Sequence, residues 1–79
     1  MNFEGVVLFH TSSSAIRAEK ILTRARVAVK LIPTPRELSS DCGIALGYQS
    51  AARMHVAELL NGARVEIAGI HQWSGGKWI

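Results

Sequence analysis

An α+β domain is what this sequence predicts, on three observations. Short apolar runs have strand length, two longer stretches repeat their apolar residues at three-and-four spacing, and polar or glycine clusters separate them. The 79 residues are 48% hydrophobic and 19% charged, the balance of one globular domain rather than a disordered segment. So short a chain is close to the lower limit for burying an adequate core unaided, so it needs an efficient fold or a partner subunit.

Gly5-Val6-Val7-Leu8-Phe9 is a continuous apolar run, as expected of a central strand. The cluster His10-Thr11-Ser12-Ser13-Ser14 ends that strand and supplies N-cap candidates for a helix running to about Arg26. Ala15, Ala18, Ile21, Leu22 and Ala25 make its buried stripe, and Arg17, Glu19, Lys20 and Arg24 its wet side. Ala28 to Ile32 reads as a second strand. Thr34-Pro35-Arg36-Glu37 matches a capping box with proline at the first helical position, which predicts a single helical turn. Ile44 to Tyr48 reads as a third strand, with Gly47 marking a bulge or a close contact. A second helix from about Ser50 to Asn61 buries Ala52, Val56, Leu59 and Leu60, and Asn61-Gly62 supplies a left-handed stop. Arg64 to Ile70 alternates at its start, as a strand with one wet face does.

Strand, helix, strand, strand, helix, strand is the order of the ferredoxin-like βαββαβ arrangement: a four-stranded antiparallel sheet with two helices on one face. The domain is expected over 1–71, with 72–79 as a C-terminal tail. The bare sheet face needs a cover, either the tail or another chain, because so small a domain cannot leave an apolar face wet. Trp73 and Trp78 suit such a cover or a subunit interface, and a homo-oligomer is therefore possible.

Several function classes lose support at this level. The net charge is +3, with nine Lys and Arg scattered rather than clustered, so nucleic-acid binding is not expected. No apolar run has membrane-spanning length, and no membrane association is expected. One cysteine permits no internal disulfide, and the first residues lack the basic and long apolar regions of a secretion signal; both point to the cytoplasm. The zinc-ligand spacings are missing, so no metal is expected, with His55 on the second helix and His71 placed after the last strand at the far edge. The serine cluster lacks the glycine pattern of a phosphate loop, and capping is its simpler role.

The remaining chemistry centres on Cys42, in the small polar turn Ser39-Ser40-Asp41-Cys42-Gly43. In the expected topology, the end of the first strand, the start of the first helix, the end of the second strand and the start of the third share one sheet edge. His10, Thr11, Ser12, Ser13, Arg36, Ser39, Ser40, Cys42 and Gly43 should therefore converge. A helix N-terminus and the Arg36 guanidinium each favour an anion beside them, and the thiolate is the form that attacks or coordinates; Asp41 opposes them. On this reading the Cys42 thiol is partly accessible and quick to alkylate. The opposing reading is a small buried hydrophobe, which free cysteine often is. A Cys-His nucleophile pair would need His10 beside Cys42 and an orienting acid, and only Asp41 is at hand.

Thr11, Ala15, Arg17-Ala18-Glu19-Lys20 and Leu22, then Val29 through Leu46 with the specific segment from Pro33 to Leu46, resemble the small bacterial family called selenium/sulfur (Se/S) carrier protein-like. The likeness spans about residues 5 to 70 and does not explain the Trp73–Ile79 segment. It implies a non-enzymatic carrier in which Cys42 holds sulfur or selenium as a persulfide or selenosulfide. Donor and acceptor proteins would be its partners, and it would need no cofactor. A lone cysteine suits a carrier better than a dithiol oxidoreductase, which needs a second thiol to resolve its adduct. Two other classes stay open: a small-ligand or metal-sensing regulatory module, and a structural or interaction domain with an incidental cysteine.

Overall fold

The computed structural model describes residues 3–38 and 42–79. In chain order these form β1 (Gly5–Leu8), α1 (Ser12–Arg24), β2 (Val29–Pro33), β3 (Ile44–Tyr48), a 3-10 turn (Ser50–Ala52), α2 (Arg53–Gly62), β4 (Gly69–Ser74) and β5 (Lys77–Trp78). The strands make one antiparallel sheet in the order β2-β3-β1-β4-β5. The α+β class and the two helices are as expected, and the arrangement is consistent with a ferredoxin-like fold. The expected four-strand count and order are corrected: five strands are present because residues 69–78 form a hairpin that adds β5 outside β4.

The two continuous apolar runs became β1 and β3, inside the sheet, where both faces of a strand must be buried. Alternation along β1 divides its side chains. Val7 and Phe9 join Ala15, Ala18 and Leu22 of α1, Val56 and Leu60 of α2, and Leu46 and Tyr48 of β3 in the main core. Val6 and Leu8 meet Ala45 on the opposite face, where Ile32, Leu38 and Trp78 pack over them. Both helices thus cover one face, and the other is roofed by a loop residue and by Trp78 from the segment expected as a tail. Gly5 is required by this core, since a Cβ there would fall within the Tyr48 ring. At Gly47 the strand pairs regularly on both sides, so the close contact is the correct reading and the bulge is not: Phe3 lies over it, and a Cβ at this position would stand 3.0 Å from the Phe3 side chain.

Two helix ends share a device that the sequence reading missed. Leu22-Thr23-Arg24-Ala25-Arg26-Val27 and Leu60-Asn61-Gly62-Ala63-Arg64-Val65 repeat Leu, Ala, Arg and Val at the same spacing. Arg26 (φ 61°) and Arg64 (φ 57°) take the left-handed conformation. Behind them Val27 N–H donates to the Leu22 carbonyl at 2.9 Å and Val65 N–H to that of Leu60 at 3.0 Å, while Arg26 and Arg64 N–H reach Thr23 and Asn61 at 3.0 and 3.1 Å. This is the Schellman closure, with Val27 and Val65 turned onto the core. The stop expected at Asn61-Gly62 therefore lies at Arg64, and Gly62 is still helical.

The same closure corrects the last expected strand. Val65 and Ile67 pack on the core from an irregular segment, and their alternation imitated a strand; ladder pairing begins only at Gly69, after Ala68 N–H reaches the Leu8 carbonyl at 2.7 Å. β4 then passes through Trp73 and Ser74, and Gly75 (φ 59°) and Gly76 (φ 84°) make a two-residue turn that needs positive φ at both positions. The Gly-Gly pair between Ser74 and Lys77 is the sequence signal that marks this hairpin.

Candidate functional site at the Cys42 edge of the sheet

Pairing of Leu8 with Ala45 and Gly69, and of Pro33 with Ile44, fixes one edge of the sheet. The β1–α1 connection with His10 and Thr11, the start of α1 with Ser12 and Ser13, and the β2–β3 loop with Arg36, Cys42 and Gly43 all leave the sheet there. The strand register thus puts the connections that carry these residues at one end of the sheet. Ser39, Ser40 and Asp41, also named from the sequence, lie outside the described residues.

Thr11 is the N-cap of α1: its hydroxyl accepts from Ser14 N–H at 3.2 Å and donates to the Ser14 hydroxyl at 3.1 Å. His10, Ser12 and Ser13 are exposed beside it, as is Arg36 on the loop. The loop is closed at its base by Thr34. Its N–H donates to the Gly43 carbonyl at 3.1 Å, and its hydroxyl donates to the Cys42 carbonyl at 2.8 Å. The capping box expected at Thr34–Glu37 is thereby corrected. Thr34 spends its hydroxyl on Cys42, and Pro35 to Leu38 make a turn closed by Leu38 N–H on the Pro35 carbonyl at 3.0 Å, with no helix. Leu38 then drops onto the second core beside Trp78.

Cys42 itself is buried, with 7% of its surface exposed. The expectation of a partly accessible thiol is corrected on this point: Cys42 stands two residues before β3, beside the sheet, where the Thr34 hydroxyl holds its carbonyl. Neither Thr34 nor Leu38 carried a sequence signal for these roles beyond an ordinary hydroxyl and an ordinary apolar residue.

The other singled-out residues stand apart. His71 is not beyond the last strand but within β4, opposite Val6, and its carbonyl accepts from the Tyr48 hydroxyl at 3.1 Å. Burial pushes the Tyr48 phenol above its ordinary range, and the charge of Arg53 offsets part of the rise. His55 is exposed on α2. Among the described residues no three His, Cys, Asp or Glu side chains group as metal ligands, and no helix is long and apolar enough to cross a membrane.

Residues 4–72 match the family model described as "Putative Se/S carrier protein-like". The chain belongs to this family. The Se/S carrier-like match takes in the whole sheet edge just described, β1 and α1 included, and ends within β4, before Trp73 and β5. The chain matches no curated protein and no solved structure.

Proposed function

We propose that this protein carries sulfur or selenium on Cys42, as a persulfide or selenosulfide, between a donor and an acceptor protein in the cytoplasm. Membership of the Se/S carrier-like family carries the reading, and the presence of one cysteine in the chain directs it to Cys42. Loading is attack of the Cys42 thiolate on the terminal sulfur of a donor persulfide: one S–S bond forms, one breaks, and the donor leaves as a thiolate. Unloading is the same exchange in reverse sense, with an acceptor thiolate attacking the carried atom and Cys42 leaving. The protein catalyses no reaction of its own and needs no cofactor. Arg36 and the N-terminus of α1, with Thr11, Ser12, Ser13 and His10, supply positive potential and donors on the edge that carries Cys42 and Gly43. Ser39 and Ser40 belong to the same proposed set.

The burial of Cys42 supports holding a reducible atom away from bulk thiols. It equally favours a second reading, a structural or interaction domain in which Cys42 is an incidental core residue. A transfer assay separates the two. Wild-type protein and Cys42→Ser are each incubated with a small-molecule persulfide, desalted and mixed with an acceptor thiol protein. Gain of sulfur by the acceptor from the wild type alone supports the carrier; no gain from either supports the incidental cysteine.

A further inference from the structure

A cleft of about 300 Å³ lies between the Cys42 loop and the terminal hairpin, lined by Glu37, Leu38, Trp73, Gly76, Lys77 and Trp78. Its size is at the small end of ligand sites, room for one compact molecule. Its chemistry is specific in kind. Trp73 and Trp78 stand edge to face with ring centres 5.2 Å apart, offering aromatic faces that attract an ammonium group, and the carboxylate of Glu37 adds a full negative charge. Lys77 supplies the opposite charge on the hairpin side. The indole N–H of Trp78 is buried with no hydrogen-bond partner, the one such buried side-chain polar atom among the described residues. An orphaned buried donor is destabilising until an acceptor reaches it.

From these features together we propose that the cleft binds a small zwitterionic α-amino acid. The ligand ammonium is held by Glu37 and the indole faces. The ligand carboxylate is held by Lys77 and, after a small shift of the ring, by the Trp78 N–H. A lone cation or a lone anion satisfies half of this set, and so discrimination in favour of the zwitterion is the signature of the site. The site lies largely beyond the family-matched residues and does not depend on Cys42 chemistry.

Tryptophan fluorescence tests it directly, because both tryptophans of the chain line the cleft. L-methionine, which does not react with a thiol, is titrated against acetate and methylamine at matched ionic strength. The proposal expects a saturable change at millimolar methionine, little or none with acetate or methylamine, and about fivefold weaker binding in each of Lys77→Met and Glu37→Gln, the worth of one exposed charge pair. Cys42→Ser should bind as the wild type does, so the outcome is independent of sulfur transfer. An unsaturable response, an equal response to acetate or methylamine, or unchanged binding in both charge variants overturns it.

Discussion

The two faces of the sheet solve the same burial problem at different depths. On one face two helices seal Val7, Phe9, Leu46 and Tyr48 under Ala18, Leu22, Val56 and Leu60. On the other, Val6, Leu8 and Ala45 are covered by single side chains from three places, Ile32, Leu38 and Trp78. The helix-covered face is stabilised by many mutually packed residues. The second face rests on the loop that carries Cys42 and on a hairpin whose first tryptophan is 40% exposed, so fewer packed residues oppose its local opening.

The largest expected effect follows on the first face. Leu22→Ala should lower stability by about 3 kcal/mol in urea denaturation, the usual cost of a buried leucine truncation. Trp78→Ala should cost less, about 1–2 kcal/mol, because the ring is only half-buried and its orphan N–H disappears with it. Equal costs at the two positions would erase the distinction between the faces.

Much of this contrast was legible in the sequence, and the failures on the second face share a cause. The helix-covered face is written in regular periodicity: the spacing of Ala15, Ala18 and Leu22 marks the buried stripe of α1, and the apolar runs mark β1 and β3 as inner strands. The second face depends on residues that act singly. Trp78 in a segment read as a tail, Leu38 in a polar loop and Thr34 in an apparent capping box have no period to betray them. The helix stops were hidden differently, since arginine is an unfavourable choice for the left-handed position and only the doubled Ala-Arg-Val sequence hints at it. For the site, topology put the connections that carry these residues at one end of the sheet, but no pattern announced the burial of Cys42 or the hydrogen bonds of Thr34 to the Cys42 and Gly43 carbonyls.

Those arginines give a smaller effect. A residue with a side chain pays about 1 kcal/mol for a left-handed backbone that glycine adopts freely. Arg26→Gly and Arg64→Gly should therefore each raise the urea midpoint by an amount equivalent to about 0.5–1 kcal/mol. Arg64 lies next to Ala63, whose carbonyl accepts from Arg17 at 2.9 Å, so the α2 end keeps a cation in either variant.

A further effect is alkaline. The Tyr48 phenol is raised above 10.0 in the folded state, so the folded protein retains a proton that the unfolded chain releases. Its contribution to stability is complete below about pH 10 and is lost as pH climbs from there through the folded value, at no more than about 1.4 kcal/mol per pH unit. Urea midpoints measured at pH 9 and pH 11 should fall more for the wild type than for Tyr48→Phe, which has no proton to lose. Parallel pH dependences would place the sensitivity elsewhere.

The central claim, that Cys42 holds a sulfur or selenium atom, is tested most directly by the intact mass of the native protein after incubation with a persulfide or selenosulfide donor, whose outer atom the Cys42 thiolate attacks as the donor leaves as a thiolate, and desalting under non-reducing conditions. The account predicts a gain of one sulfur or selenium atom in the wild type, reversed by excess thiol, and no gain in Cys42→Ser. An unchanged wild-type mass, or an equal gain in both proteins, would contradict it.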